Sequence, residues 1–188
     1  MSSNLDDGGD LDDFVRQFQL WRRRYLAARQ PVWDEPIAVD GRLWLRYGYP
    51  QPGWTGYVIA PREDGVDLFK VITERQAEPR EVPLASFAAV DDAGTYILFL
   101  VGEGLRIKCG LVPLTPSWRA AGLDPRVAAV PLERHVTRYE LVDDPDRHMI
   151  VRAGGVQPEG RLLTLTYAEL DALLRQGMPE AVRAGENH

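Results

Sequence analysis

The sequence predicts an α+β fold. An antiparallel β-sheet meander is covered by an N-terminal amphipathic helix, a central buried helix or strand, and a C-terminal helix. Three observations predict it: a helical apolar stripe near the N-terminus, alternating strands joined by tight turns, and a capping box before the last apolar repeat. The 188 residues suffice for one core. We expect a disordered acidic tail at residues 1–10, a single domain at residues 11–180 and a frayed tail at residues 181–188.

The first helix is predicted between Leu11 and Arg29. Acidic residues stand in its first turn and arginines near its end, which suits the helix dipole, and Pro31 stops it. Its apolar residues recur at i, i+3, i+4 and i+7, so they form one stripe. The stripe consists of Leu11, Phe14, Val15, Phe18, Trp21, Tyr25 and Leu26.

Residues 36–73 are predicted to form three or four antiparallel strands. Asp40-Gly41 is a strong hairpin signal between the strand-like residues 37–39 and 42–47. A second turn, which ends in Gly65, joins residues 56–60 to residues 66–73. In the second strand the side chains alternate, with Leu43, Leu45 and Tyr47 on one face and Arg42, Trp44 and Arg46 on the other.

Residues 96–101 form the longest uninterrupted apolar run. The run must be buried, because exposing it would cost several kcal/mol at about 25 cal/mol per Å² of apolar surface. It is too short to span a membrane, which needs roughly 20 apolar residues. Its pattern fits either a central helix or a central strand. The glycines at 102 and 104 favour a helix that ends there, followed by an extended segment at residues 105–112.

The rest of the chain has weaker signals. We expect a hairpin from residues 136–142 and 147–152, and a terminal helix that opens with the Thr166–Glu169 capping box and ends before Gly177. The remaining expectations are a loop at 74–83, a helical turn or short strand at 84–90, irregular structure at 114–131 and a strand at 161–166.

Composition excludes several classes of function. The net charge of −6 and the pI of about 5.1 disfavour a nucleic-acid ligand, because phosphates require clustered Lys and Arg. They suit a protein partner with a basic surface. Cys109 is the single cysteine, which excludes an intrachain disulfide and a four-cysteine zinc site. No secretory signal or lipidation motif is evident, so we expect a cytoplasmic protein that binds no membrane.

The sequence lacks the motifs of common enzymes. Its histidines have no metal-ligand spacing, and neither Ser86 nor Ser117 lies in a Gly-x-Ser-x-Gly motif. Residues 102–107 have two glycines of a phosphate loop, but the third glycine and the P-loop lysine are missing, and Glu103 would repel phosphate. We therefore expect a non-enzymatic binding protein with no metal, no cofactor and no catalytic residue.

A loop between the second and third strands is the predicted partner-binding element. Residues 48–54 contain two prolines and two glycines, which rule out regular structure. Tyr49 and Trp54 lie in this loop, and Tyr and Trp are over-represented in binding hot spots. Trp54 has an alternative role as a cap on the core. The candidate anchors are Tyr49, Trp54, Arg62 and Asp64.

Residues 54–111 resemble actinobacterial toxin-immunity proteins of the group that includes the immunity factor for tuberculosis necrotizing toxin. The resemblance rests on three features. The first is a group of strands with Trp54 and a turn that contains Arg62, and the second is an acidic-then-aromatic element from Asp91 to Tyr96. The third is the Gly-Glu-Gly-Leu-Arg segment at 102–106 that follows it. It implies stoichiometric inhibition, in which the protein occludes the active site of a cognate NAD-consuming toxin domain of NAD-glycohydrolase type and performs no chemistry.

Two alternatives stay open. One is an accessory adaptor or secretion chaperone that docks through the first helix. The other is an unrecognised small-molecule-binding protein or enzyme with a pocket under the loop at residues 49–54, lined by His135 or by paired carboxylates.

Overall fold

The structure is a computed structural model that describes residues 8–73, 78–152 and 157–185. Most of the predicted tail at residues 1–10 lies outside the described residues. The helices are α1 Gly8–Ala27, α2 Val90–Lys108, α3 Leu114–Ala121, α4 Tyr167–Arg175 and α5 Glu180–Ala184, with a 3-10 helix at Pro158–Thr164. The strands are β1 Ile37–Val39, β2 Arg42–Tyr47, β3 Thr55–Arg62, β4 Gly65–Ile72, β5 Arg80–Phe87, β6 Val127–Glu133, β7 Val136–Leu141 and β8 His148–Val151.

The strands form an eight-stranded antiparallel sheet in the order β1-β2-β3-β4-β5-β8-β7-β6. The predicted α+β class and meander are thereby confirmed. The first hairpin turns at Asp40 and Gly41, with φ of 50° and 72°. Positive φ at both positions is what a two-residue hairpin turn of matching twist requires.

One face of the sheet, the inner face, carries the core. It presents Leu43 and Leu45 from β2, and α1 and α2 pack over it in contact with each other. Most of the predicted stripe of α1 is buried there, with Phe14, Phe18 and Trp21 at most 1% exposed, whereas Leu26 at its end is 48% exposed. The helix begins at Gly8 rather than Leu11 and ends at Ala27.

The apolar run at residues 96–101 is helical and lies in the middle of α2. The helix does not end at Gly102 or Gly104 but continues to Lys108, so the predicted extended segment at 105–112 is wrong. These glycines serve close packing instead. A Cβ on Gly102 would come within 2.5 Å of Leu174 on α4, and a Cβ on Gly104 within 3.0 Å of the Tyr25 hydroxyl on α1. Gly94, earlier in the helix, is packed more closely, because a Cβ there would come within 2.3 Å of the Tyr167 hydroxyl.

Four further local predictions are wrong. The predicted loop at 74–83 becomes β5 from Arg80 onward, while residues 74–77 lie outside the described part of the chain. Residues 114–131 contain α3 and β6, and the predicted strand at 161–166 is mostly 3-10 helix, in which the consecutive residues Leu162 and Leu163 are both buried. Residues 181–184 of the predicted frayed tail belong instead to α5, in which Val182 is 5% exposed. In each of these short segments, contacts with residues distant in sequence outweigh the local conformational preference.

The Gly-Glu-Gly-Leu-Arg segment connects three helices. Glu103 accepts hydrogen bonds from the backbone N–H of Leu114 at 2.8 Å and of Thr115 at 3.3 Å, at the start of α3. Arg106 donates to the carbonyl oxygens of Leu174 and Gln176 at the end of α4, both at 2.8 Å. Both charged residues of this segment therefore satisfy helix ends.

The last predicted helix is confirmed as α4. Thr166 accepts a hydrogen bond from the Glu169 backbone N–H, and the Glu169 carboxylate accepts one from the Thr166 backbone N–H. Gly177 follows the helix with φ of 79°. The capping box and the glycine thus set the two ends of α4.

Candidate partner-binding surface

The outer face of the sheet presents the opposite side chains of β2, which are Arg42, Trp44 and Arg46. Trp44 pairs in register with Val58 on β3, and Val58 pairs with Phe69 on β4, so these three side chains share the face. Val58 is fully buried although it lies outside the main core. Side chains of the strands themselves therefore cover this face.

Arg42 crosses this face and joins β2 to β5. Its two terminal nitrogens donate to the two carboxylate oxygens of Glu81, at 3.1 and 2.6 Å. Its guanidinium carbon lies 5.5 Å from the Trp44 ring centre and 5.6 Å from that of Phe69. The ion pair and the two rings form a flat, half-exposed layer over Val58.

Arg46, Tyr49 and Trp54 form an aromatic–arginine cluster at the loop end of β2 and β3. The Arg46 guanidinium carbon lies 4.0 Å above the Tyr49 ring, and the Tyr49 and Trp54 rings meet edge to face at 5.5 Å. Tyr49 is 46% exposed, and Trp54 is half-buried outside the core. In the described part of the chain, Arg46 has no carboxylate partner, and its buried Nε has no hydrogen-bond acceptor.

Hydrogen bonds hold the loop in place. The Gln51 N–H donates to the Gly48 carbonyl at 2.9 Å, and the Trp54 N–H donates to the Gln51 carbonyl at 3.1 Å. The Thr73 hydroxyl, at the end of β4, donates to the Trp54 carbonyl at 2.5 Å. The loop is therefore built from successive turns anchored to the sheet.

The four sequence-predicted anchors fall into two separate pairs. Tyr49 and Trp54 are in contact, and Arg62 forms an ion pair with Asp64 at 3.0 Å. Because β3 runs from Thr55 to Arg62, the pairs lie at opposite ends of that strand, about 20 Å apart at roughly 3.3 Å per residue. The structure thus does not bring the four residues into one site.

Sequence reasoning did not select the arginine beside the loop. The alternation in β2 had already placed Arg42, Trp44 and Arg46 on one face, away from the core. That Tyr49 and Trp54 lie beside this same face follows from the conformation of the loop, which no local pattern predicts.

A cleft of about 460 Å³ lies elsewhere, where the start of α2 meets the β7–β8 turn and the start of α4. It is not under the loop at residues 49–54, where the sequence hypothesis placed a pocket. His135 does not line it, and stands at the β6–β7 turn with φ of 64°.

Two further kinds of reactive group within the described residues are the single cysteine and the possible metal ligands. Burial raises the pKa of the Cys109 thiol, which opposes formation of a thiolate. Among the residues that the structure describes, no three His, Cys, Asp or Glu side chains are grouped so that they could hold a metal ion. None of the described helices has the length and apolar character needed to cross a membrane.

The fold and this surface define an α+β protein with one helix-covered sheet face and one open face rich in arginine and aromatic residues. No protein-family model matches the chain, and no curated protein matches it. Among solved structures, Rv3902c from M. tuberculosis is similar, with a TM-score of 0.51 over 91% of this chain and 84% of that chain. At 15% sequence identity, this likeness shows a shared fold alone.

Proposed function

We propose that this protein is a non-enzymatic immunity (antitoxin) protein that neutralises a cognate bacterial toxin in the cytoplasm by occluding its active site. The observation that carries the proposal is the partly exposed Arg46–Tyr49–Trp54 cluster on the open face of the sheet. The resemblance of residues 54–111 to actinobacterial immunity proteins supports the same role and points to a toxin of NAD-glycohydrolase type.

The composition of the cluster suits a binding hot spot. Trp, Tyr and Arg are the residues that most often dominate the binding energy of protein interfaces. The loop is already held by its own turns and by the Thr73–Trp54 hydrogen bond. Ordering it on binding therefore costs little conformational entropy.

Charge contributes to this proposal in two ways, by long-range attraction of the partner and by a direct contact at the interface. The net charge of −6 attracts a partner with a basic surface during the approach. At the contact itself, Arg46 offers a guanidinium without a carboxylate of its own in the described chain. The partner group that meets it is accordingly acidic or a hydrogen-bond acceptor.

The adaptor alternative has less support. It requires the apolar stripe of α1 as a docking surface, but Phe14, Phe18 and Trp21 are buried in the core. A partner reaching that stripe would have to displace α2.

The experiment is co-purification with the product of the adjacent gene, followed by titration into the activity assay of that product. We expect a one-to-one complex with activity lost at the stoichiometric point. Arg46→Ala, Tyr49→Ala and Trp54→Ala should each weaken binding by tenfold or more, which is about 1.4 kcal/mol. Arg119→Ala, on the exposed side of α3, is the matched control.

Arg62→Ala and Asp64→Ala separate the two predicted pairs. If only these two variants weaken binding, the contact lies at the other end of β3 and the cluster is the wrong site. If no complex forms, or if the complex leaves the partner's activity intact, the inhibitor proposal fails.

A further inference from the structure

The cleft at the start of α2 has the size of a small-molecule site. Its volume of about 460 Å³ lies within the range of ligand pockets, roughly 300–1,000 Å³. It shares no residue with the Arg46–Tyr49–Trp54 cluster, so it is independent of the proposed function. Its walls are Asp91, Thr95, Arg126, Leu141, Asp143, Arg147, Leu163, Thr164, Leu165, Thr166 and Tyr167.

Two arginines enter this cleft from neighbouring points of the backbone. The Arg147 carbonyl accepts a hydrogen bond from the Leu141 N–H at 3.2 Å, and the Arg126 carbonyl accepts one from the Val142 N–H at 2.9 Å. These two amides are consecutive at the end of β7. The fold therefore brings together two cations that are far apart in the sequence.

Each arginine is held by a carboxylate through the same two nitrogens. Arg147 donates from Nε at 3.2 Å and from Nη2 at 2.7 Å to Asp92, whose side chain is 2% exposed. Arg126 donates from Nε and Nη2 to Asp124, both at 3.0 Å, and from Nη2 to the Thr164 hydroxyl at 2.8 Å. The hydrogen bond from Arg126 also lowers the pKa of Asp124, so this pair stays charged.

This arrangement leaves one nitrogen of each arginine for a ligand. Within residues 8–73, 78–152 and 157–185, Nη1 of Arg126 and Nη1 of Arg147 make no hydrogen bond. The guanidinium planes are held by Asp124 and Asp92, so little side-chain entropy is lost when Nη1 meets an acceptor. Carboxylate and phosphate oxygens are the acceptors that guanidinium groups bind best.

The rest of the cleft limits the charge of the ligand. Asp91 and Asp143 line the same space, and Asp91 accepts a hydrogen bond from the Tyr167 hydroxyl at 3.0 Å. Two carboxylates repel a polyanion but accept hydrogen bonds from hydroxyl or amino groups. The leucines at 141, 163 and 165 provide apolar contact for a short carbon skeleton.

We propose that this cleft binds a small molecule with one carboxylate or phosphate group, held by Arg126 and Arg147, and with hydroxyl or amino groups directed to Asp91 and Asp143.

The test is an NMR titration of the ¹⁵N-labelled full chain at constant ionic strength, with glycerol 3-phosphate and lactate as the two probes. We expect saturable shifts of the Arg126 and Arg147 Nε–H signals and of the amides at residues 163–167 for at least one probe. The probe that saturates at the lower concentration identifies phosphate or carboxylate as the preferred group. Saturation of neither probe overturns the proposal.

Variants test whether the arginines hold the ligand. Arg126→Gln should raise the apparent Kd at least fivefold, and it is expected to fold because its side chain is 60% exposed. Arg147→Lys is the second variant, since it keeps a cation beside buried Asp92. Arg119→Gln removes the same charge from exposed α3 and should leave Kd unchanged. An unchanged Kd in both cleft variants, or an equal loss in the control, overturns the proposal.

Discussion

The two faces of the sheet are built from the same strands but are covered in different ways. On the inner face, Leu43 and Leu45 of β2 lie under α1 and α2 and are almost completely buried. On the outer face, Arg42 and Trp44 of the same strand lie over Val58 and stay half-exposed. Helices exclude water from one face, whereas long side chains shield the other.

This difference separates stability from recognition. Inner-face residues have close neighbours on all sides, so a substitution that changes the volume of a side chain disturbs the packing around it. Outer-face residues have water on one side, and their guanidinium and aromatic groups are available to a partner. Substitutions should accordingly change the free energy of unfolding on the inner face and the affinity for a partner on the outer face.

The largest expected effect compares neighbours on β4 that point to opposite faces. Leu68 is fully buried on the inner face, and Phe69 is half-buried on the outer face. Leu68→Ala should lower the free energy of unfolding by about 2–5 kcal/mol through the lost contacts and the cavity. Phe69→Ala should cost about 1–2 kcal/mol, because part of the ring is already in water. Urea unfolding measures both, and equal losses would remove the distinction between the faces.

The next effect concerns the close contacts of α2. Gly94→Ala places a methyl group 2.8 Å from the Phe14 ring and 2.3 Å from the Tyr167 hydroxyl. Overpacking costs about 1–3 kcal/mol, and the better helix propensity of alanine returns up to about 1 kcal/mol. We expect a net loss of about 1–2 kcal/mol by thermal or urea unfolding.

Gly104→Ala is the comparison, because its methyl group meets only the Tyr25 hydroxyl, at 3.0 Å. This variant should cost less than Gly94→Ala. A Gly94→Ala protein that is more stable than the wild type would show that α2 has room to shift on the sheet.

The outer ion pair should have a smaller effect. Arg42 and Glu81 are each 30% exposed, and pairs near the surface contribute about 1 kcal/mol or less. Arg42→Met keeps the apolar stem over Val58 and removes the charge. A double-mutant cycle with Glu81→Gln isolates the coupling between them. A coupling energy above about 2 kcal/mol between Arg42 and Glu81 would mean that the outer face also contributes strongly to stability, as the inner face does.

The smallest expected effect is the ionisation of Tyr57 on the inner face, which changes stability only at high pH. Burial raises the pKa of Tyr57 to about 12, whereas the phenol titrates near about 10 in the unfolded chain. Between these values only the unfolded state ionises, so the free energy of unfolding should fall as the pH rises through this window.

Tyr57→Phe removes this contribution. Its loss of stability between about pH 8 and about pH 11 should be smaller than that of the wild type, as measured by urea unfolding at both pH values. Identical pH dependence in the two proteins would mean that water reaches the Tyr57 hydroxyl in the folded state.

Much of the fold could be predicted because its signals are local. The stripe of α1, the alternation in β2, the Asp40-Gly41 turn and the capping box of α4 each lie within a few residues. The buried run at residues 96–101 was placed in the core by composition alone. Its periodicity does not decide its conformation, because six apolar residues fit a buried helix and a buried strand equally well. The glycines at 102 and 104 favoured a helix, which the structure has, but with an end four residues too early.

The wrong predictions share a physical cause. Gly102 and Gly104 suggested a helix end, yet Gly102 lies against Leu174 of α4 and Gly104 against the Tyr25 hydroxyl of α1. β5 carries a proline and two charged residues, yet it pairs with both β4 and β8. In both places, contacts with residues distant in sequence outweigh the preference of the local segment.

The α+β class, the inner and outer residues of β2 and the ends of α4 can all be inferred from local sequence patterns, because side-chain periodicity and capping act over a few residues. The contact of Tyr49 and Trp54 with Arg46, and the position of Arg62 and Asp64 at the far end of β3, emerge only when the chain is folded. The same holds for the cleft that Arg126 and Arg147 share. Residues become neighbours across strands through register and loop conformation, and these depend on the packing of the whole chain.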